Sequence, residues 1–231
     1  IQDCLDSWKK HLPSYEIILW DTKRFNIHEV PWVEQAFNTK KYAFAADYIR
    51  LYALYHHGGI YLDSDVEILK SLDNFLELPY FVGAETSGTI EAAILGAEKG
   101  CDWIKCCLDY YEGRNFIRED GSYDIRMLPE ILNETILRLK PVINMPSGSN
   151  IDDLKKKDLG EAVYVLPKEY FSPKVFDSRE VFLTPETHAI HHYQNSWFSH
   201  KAFAYYRTRT LFIKIFGYKA VRSLEKMLLK R

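Results

Sequence analysis

The chain predicts an α/β fold with a mostly parallel central sheet flanked by helices and followed by a C-terminal helical tail. Three observations carry that expectation. Helix-like and strand-like segments alternate along the sequence. The long helical pattern from Thr39 to His57 closes at Gly58, where a helix stop belongs. The apolar strand Ile60-Tyr61-Leu62 then runs out of a double glycine directly into two carboxylates, Asp63 and Asp65. Alternation of this kind argues for a parallel sheet. In such sheets ligands bind beyond the carboxyl ends of the strands, where the two aspartates fall.

Taken in order, residues near 2–10 carry a helical pattern, and Tyr15 to Trp20 ("YEIILW") reads as a strand. After the Thr39–His57 helix and the Ile60–Leu62 strand, Pro79 to Glu85 ("PYFVGAE") reads as another strand. Asp102 to Glu112 is a helix opened by Asp102. The segment 113–160 holds the loop signals "EGRN", "EDGS" and "MPSGSN" around a helix near Leu128 to Leu139. It is expected over or beside the site, touching substrate. Glu161 to Leu166 and Thr187 to Gln194 read as strands, and residues 204–230 as one or two helices broken near Gly217.

At 231 residues and net charge −2, the chain divides into one domain over 1–200 and a tail over 201–231. No run approaches the ~18 apolar residues of a membrane span. No secretory signal is visible, although residue 1 is Ile rather than Met, so that absence carries little weight. The four cysteines, Cys4, Cys101, Cys106 and Cys107, make no C-x-x-C pair. Cys106 and Cys107 read as small apolar residues on the buried side of their helix, and free thiols suit a reducing compartment. A cytoplasmic location is expected, peripheral on the inner face of the plasma membrane if the tail binds there.

That tail carries Lys201, Arg207, Arg209, Lys214, Lys219, Arg222, Lys226, Lys230 and Arg231 against a single Glu225, with aromatics interleaved. Such a helix can lie on an anionic membrane surface. The plainer alternative is a helix whose aromatics pack on the domain. Nucleic acid is not an expected partner, because the positive charge is confined to the tail.

Side chains alternate along a strand, so Asp63 and Asp65 are expected on one side. Close carboxylates repel, and a hard divalent cation, Mn²⁺ or Mg²⁺, removes that conflict. The plainer alternative is a pair of solvated acids at a turn. Upstream, Asp47 and Arg50 share a helix face with Leu51 and Leu54. They form either an intrahelical ion pair or a pair aimed at the aspartates and able to grip sugar hydroxyls. Gly58-Gly59 permits the tight turn between helix and strand. An EF-hand is excluded by the missing Gly and Glu. The strand also fits a haloacid-dehalogenase-like phosphatase with Asp63 as nucleophile, although that chemistry leaves Asp47 and Arg50 unused. In "IHHYQNSW", His191 and His192 face opposite ways on a strand, so one of them can reach a metal. Ser196 and Trp197 offer a hydroxyl and an indole N–H to phosphate oxygens.

Together, "AFAADYIRLYALYHHGGIYLDSDVEIL", "IHHYQNSW", "CLDSWKKHLPSYEIILWD" and "AAILGAEKG" resemble the family 32 glycosyltransferases, the DXD sugar-binding-region group. That group includes bacterial capsule and lipopolysaccharide transferases and yeast α-mannosyltransferases, and is distantly similar to the large clostridial toxin glucosyltransferases. The resemblance implies a GT-A fold and transfer of a hexose, with retention, from a nucleotide sugar to a saccharide acceptor. A UDP-sugar is placed ahead of a GDP-sugar, with a lipid-linked saccharide among the acceptors to be considered. It implies Mn²⁺ or Mg²⁺ and a role in bacterial surface polysaccharide synthesis. By motif, Asp47, Arg50, Gly59, Tyr61, Asp63, Ser196 and Trp197 become donor-binding residues. Asp63 and Asp65 become the catalytic pair. Asp65 and His191 become metal ligands, with Asp63 reaching the ion through water and His192 the second choice. Glu91 stands where the family often has Asn and is assigned to the acceptor side. Leu128-Pro129 replaces a common Gly-Pro. A strand that usually opens the family is absent, so the chain reads as truncated at its amino end. A non-catalytic sugar-nucleotide-binding module is the remaining alternative; it would keep the pocket and lose the metal.

Overall fold

The computed structural model describes residues 1–194 and 200–228. Its helices are α1 (Gln2–His11), α2 (Pro31–Asn38), α3 (Tyr42–His57), α4 (Asp102–Asp109), α5 (Leu128–Leu139), α6 (Ile151–Lys155), α7 (His200–Phe216) and α8 (Tyr218–Leu228). Its strands are β1 (Gly59–Leu62), β2 (Val66–Ile68), β3 (Tyr80–Ala84), β4 (Ile90–Ala97), β5 (Val142–Asn144), β6 (Val163–Val165) and β7 (Ala189–His191).

The mixture of helices and strands is as expected, but the sheets are small and mostly antiparallel. The central one has the order β1-β4-β3, and both of its pairings are antiparallel. A second joins β2 to β7, also antiparallel. Among the described residues β5 and β6 form the one parallel ladder, and an isolated parallel bridge joins Gly83 of β3 to Leu166, just past β6. The cause is a hairpin: β3 turns into β4 through Glu85–Thr89, with Glu85 N–H donating to the Thr89 carbonyl at 2.9 Å. A connection that short permits only antiparallel strands.

Strand β4 escapes the sequence reading because every one of its residues is buried. A strand covered on both faces shows no alternation and cannot be told from a buried helix by period. Tyr15–Trp20 fails in the opposite way. It lies outside the described sheets, and Ile17, Ile18 and Leu19 are solvent-exposed. Without a neighbouring strand to pair its backbone, β-propensity does not make a strand. The segment 113–160 packs inward through Leu128, Ile131, Leu132 and Ile136 of α5, and through β5 onto β6.

The central sheet has a core on each side. On one, Leu51 and Leu54 of α3 meet Val82, Leu95 and Trp103. On the other, Val66 and Ile68 of β2 meet Phe81, Ile94, Phe171 and Ala189. Helix α1 joins the second core with Trp8, whose indole N–H donates to the Val66 carbonyl at 2.7 Å. The turn from β1 to β2, residues 63–65, therefore lies where the two cores meet.

Candidate functional site

The site is assembled from both sides of that seam. Helix α3 ends at Gly58, whose φ of 72° and 2.8 Å bond to the Leu54 carbonyl cap the helix. A Cβ at Gly58 would stand 2.8 Å from the Lys99 backbone nitrogen, so the position needs glycine for space as well as φ. Gly59, at φ 101°, completes the turn into β1. Asp63 lies one residue past β1 and continues its pairing, its N–H bonding the Ala93 carbonyl at 2.8 Å. The chain then turns, with Val66 N–H to the Asp63 carbonyl at 3.0 Å. The aspartates thus converge through a turn and not, as expected, through strand alternation.

On the α3 side, Arg50 is 6% exposed and lies between carboxylates. Its guanidinium is 3.0 Å from Asp47 and 3.4 Å from both oxygens of Asp63, and it donates to the Ala92 carbonyl at 2.6 Å. It also sits over the Tyr61 ring, 4.7 Å from the centroid. The Tyr61 hydroxyl donates to Asp63 Oδ1 at 2.6 Å. Burial pushes the Asp47 carboxyl up to about 7, against the Arg50 charge and assisted by Asp63. Asp47, Arg50, Tyr61 and Asp63 are therefore one connected cluster. The buried Arg50 Nε has no partner among the described residues.

The other side is delivered by the β2–β7 register, which sets His191 opposite Val66, next to Asp65. The His192 N–H donates to the Asp65 carbonyl at 3.0 Å, and the Gln194 N–H to Asp65 Oδ2 at 2.8 Å. His191 Nε2 stands 3.7 Å from Asp65 Oδ2. His192 turns away, 2.8 Å from Glu67 and 3.1 Å from Lys174 Nζ. The remaining His191 nitrogen, Nδ1, is 3.0 Å from Glu91 Oε2. Burial alone would lower the His191 pKa; the charge and hydrogen bond of Glu91, with Asp65 and Asp63 behind, outweigh it and raise it to about 9.

Glu91, assigned from the sequence to the acceptor side, is 3% exposed and lies beside the His191 ring. It accepts hydrogen bonds from the Ser172 hydroxyl, from Ala93 N–H at 2.9 Å and from the Tyr193 hydroxyl at 3.5 Å. Burial pushes its carboxyl up, but the His191 charge and these donors prevail and hold it at about 2. Ser172 had no signal in the sequence, being remote in the chain from both residues it helps to fix. The expected phosphate contacts Ser196 and Trp197 lie outside the described residues.

Asp63, Asp65 and His191 each offer one ligand atom, and the three atoms lie within 4.8 Å of one another. Two carboxylate oxygens and one imidazole suit a hard to borderline cation such as Mn²⁺ or Mg²⁺. Glu91 sets the His191 ring so that Nε2 faces the aspartates, the usual support for a ligating histidine. The donor set fits a divalent ion.

Residues 1–82 match the family model described as "Glycosyltransferase sugar-binding region containing DXD motif". The inositol phosphoceramide mannosyltransferase 3 of Schizosaccharomyces pombe is 34% identical over 92 residues, which cover 38% of this chain and 26% of that protein. The mannosyl phosphorylinositol ceramide synthase SUR1 of Saccharomyces cerevisiae is 33% identical over 100 residues, 42% of this chain and 25% of that protein. The chain thus spans about a quarter of the length of these relatives. Both are fungal and are named for mannosyl transfer; bacterial capsule or lipopolysaccharide synthesis, expected above, has no counterpart in their names. The solved structure titled "PaToxG Glycosyltransferase" overlays with a TM-score of 0.37 at 20% identity, covering 52% of this chain and 44% of that one, too slight an overlap to extend the fold argument.

Proposed function

We propose that this chain transfers a hexose from a nucleotide-sugar donor to a saccharide-bearing acceptor in a divalent-cation-dependent reaction that retains anomeric configuration. The observation that carries the reading is the convergence of Asp63, Asp65 and His191 beside the Asp47–Arg50 pair. Asp65 and His191 would hold Mn²⁺ or Mg²⁺, with Asp63 next to them. When bound, such an ion supplies charge neutralisation at the leaving diphosphate.

The remaining work falls to the chain's own residues. Arg50 and Tyr61 hold both oxygens of Asp63, which fixes that carboxylate's orientation before substrate arrives. Asp47, Arg50 and Asp63 present acceptors and donors suited to sugar hydroxyls. Positioning of this kind supplies several kcal/mol of a barrier, roughly 7–11 at the upper limit for well-aligned groups. No side chain is nominated as a nucleophile, so the acceptor attacks on the face the diphosphate leaves, and a diphosphate oxygen takes its proton. A phosphatase with Asp63 as nucleophile would leave Asp47, Arg50 and His191 without a role, whereas glycosyl transfer uses all of them.

The relatives' names make mannose the first sugar to test, and inositol phosphoceramide, a lipid-linked acceptor, the first acceptor class. The experiment is a thermal shift against UDP- and GDP-sugars, mannose nucleotides included, with and without Mn²⁺, followed by the product's anomeric configuration by NMR. Stabilisation by a nucleotide sugar that depends on Mn²⁺, and a retained anomer, support the proposal. Stabilisation unaffected by chelator, or an inverted product, overturns it.

A further inference from the structure

We propose that the α7–α8 hairpin is a docking surface for a membrane carrying anionic lipid headgroups. This goes beyond the proposed chemistry and does not depend on it. The two helices close on each other through Ile213 and Val221, both buried. They are held to the rest of the molecule by Arg209, which bridges Asp177 and Glu225, and by Tyr206 against the Phe176 ring at 5.6 Å. Gly217, at φ 82°, makes the turn between them.

This inner packing uses little of the hairpin's apolar surface. Leu211, Phe212, Ile215, Phe216 and Tyr218 all face solvent, Ile215 at 63% exposure. Positions 211 and 215, and 212 and 216, are one helical turn apart, so they form a single strip along α7. The Phe212 and Phe216 rings stack within it, 5.8 Å between centroids. Contiguous apolar strips of this kind on a protein surface mark an interaction site.

The charges beside the strip decide what it meets. Arg207, Lys214, Lys219 and Arg222 are exposed around it. The one carboxylate in these two helices, Glu225, is already engaged by Arg209 and Tyr205. The face is therefore apolar with an uncompensated basic border, the combination that holds a helix in the headgroup plane of an anionic bilayer. A second copy of the chain suits it poorly, because a two-fold interface would set basic border against basic border. Spanning is not the mode: no helix among the described residues is long and apolar enough to cross a membrane.

The test is co-sedimentation of the whole chain with phosphatidylcholine vesicles, with and without phosphatidylglycerol, alongside an Arg207→Glu/Lys214→Glu variant and an Ile215→Asp/Phe216→Asp variant. All four positions are exposed, so the variants are expected to fold, and circular dichroism and thermal melting confirm it. The expected result is pelleting with phosphatidylglycerol vesicles, little with phosphatidylcholine alone, and partitioning weakened by about tenfold or more in each variant. Equal pelleting of the charge-reversed variant, indifference to phosphatidylglycerol, or a self-associated species in sedimentation velocity that Ile215→Asp/Phe216→Asp abolishes would overturn the proposal. No donor is present, so this result and the fate of the glycosyl-transfer reading are separable.

Discussion

The two halves of the site are built alike and differ in one respect. On the α3 side a cation, Arg50, sits between the carboxylates Asp47 and Asp63, at 3.0 and 3.4 Å. On the β7 side a second cation, protonated His191, sits between Glu91 and Asp65, at 3.0 and 3.7 Å. A guanidinium keeps its proton at every accessible pH, whereas an imidazole gives it up. The first half thus keeps its cation permanently, at every accessible pH, and that cation fixes Asp63. The second is exchangeable: the proton on His191 Nε2 and a divalent ion compete for the same place beside Asp65. A site needing both a fixed sugar clamp and a replaceable cation has a physical reason to use arginine in one half and histidine in the other.

The comparison breaks most sharply at Asp65. Asp65→Asn keeps the shape and removes the negative charge that attracts a cation, so turnover of the correct donor should fall by about 10³-fold or more, roughly 4 kcal/mol. The fold should persist, since Asn can still accept from the Gln194 N–H. Full turnover of that variant in chelator would remove the exchangeable half from the mechanism. The permanent half is tested by stability. Arg50→Leu leaves Asp47 and Asp63 without their buried counter-charge and should cost about 3–5 kcal/mol in denaturant unfolding. A loss below about 1 kcal/mol would mean that Arg50 does not hold the cluster together.

How much of this was readable in advance differs between the halves for the same physical reason. Asp47 and Arg50 are three apart on one helix, and Gly58-Gly59 announces the turn into Asp63, so local rules reach the permanent half. The exchangeable half depends on strand pairing between β2 and β7, far apart in sequence, and only family resemblance brought His191 to Asp65. The support Glu91 gives His191 was not readable because β4 itself was not recognised; once β4 is a central strand, a glutamate in it is necessarily buried and needs partners. The parallel sheet was expected from the alternation of helices and strands; with β4 unrecognised, the short Glu85–Thr89 hairpin that makes the pairing antiparallel had no second strand.

The exchange itself has a pH signature. The folded pKa of His191, about 9, lies above its ordinary 6.5. The stabilisation from this contact is therefore fully present below pH 6.5 and is lost as pH rises through 9. The same proton must leave before a metal can bind, so the apparent Mn²⁺ affinity should rise about tenfold per pH unit between 7 and 9 and then level off. Calorimetry in buffers of different ionisation enthalpy would count the proton released, and His191→Gln should flatten both profiles. In the Arg50 half the guanidinium keeps its proton throughout, and the step there belongs to the buried Asp47 carboxyl, near 7 and so below that of His191.

The smallest effect separates the two neighbouring histidines. His192 lies on the other face of the chain from His191, between Glu67 and Lys174, with about a quarter of its side chain exposed. Partly exposed ion pairs of that kind contribute about 0–1 kcal/mol. His192→Ala should therefore shift unfolding by about 0.5 kcal/mol and leave Mn²⁺ affinity within about twofold, since its backbone N–H to the Asp65 carbonyl survives the substitution. A tenfold loss of affinity in His192→Ala, with His191→Ala unaffected, would reassign the ligating imidazole and dissolve the pairing of His191 with Arg50 as counterparts.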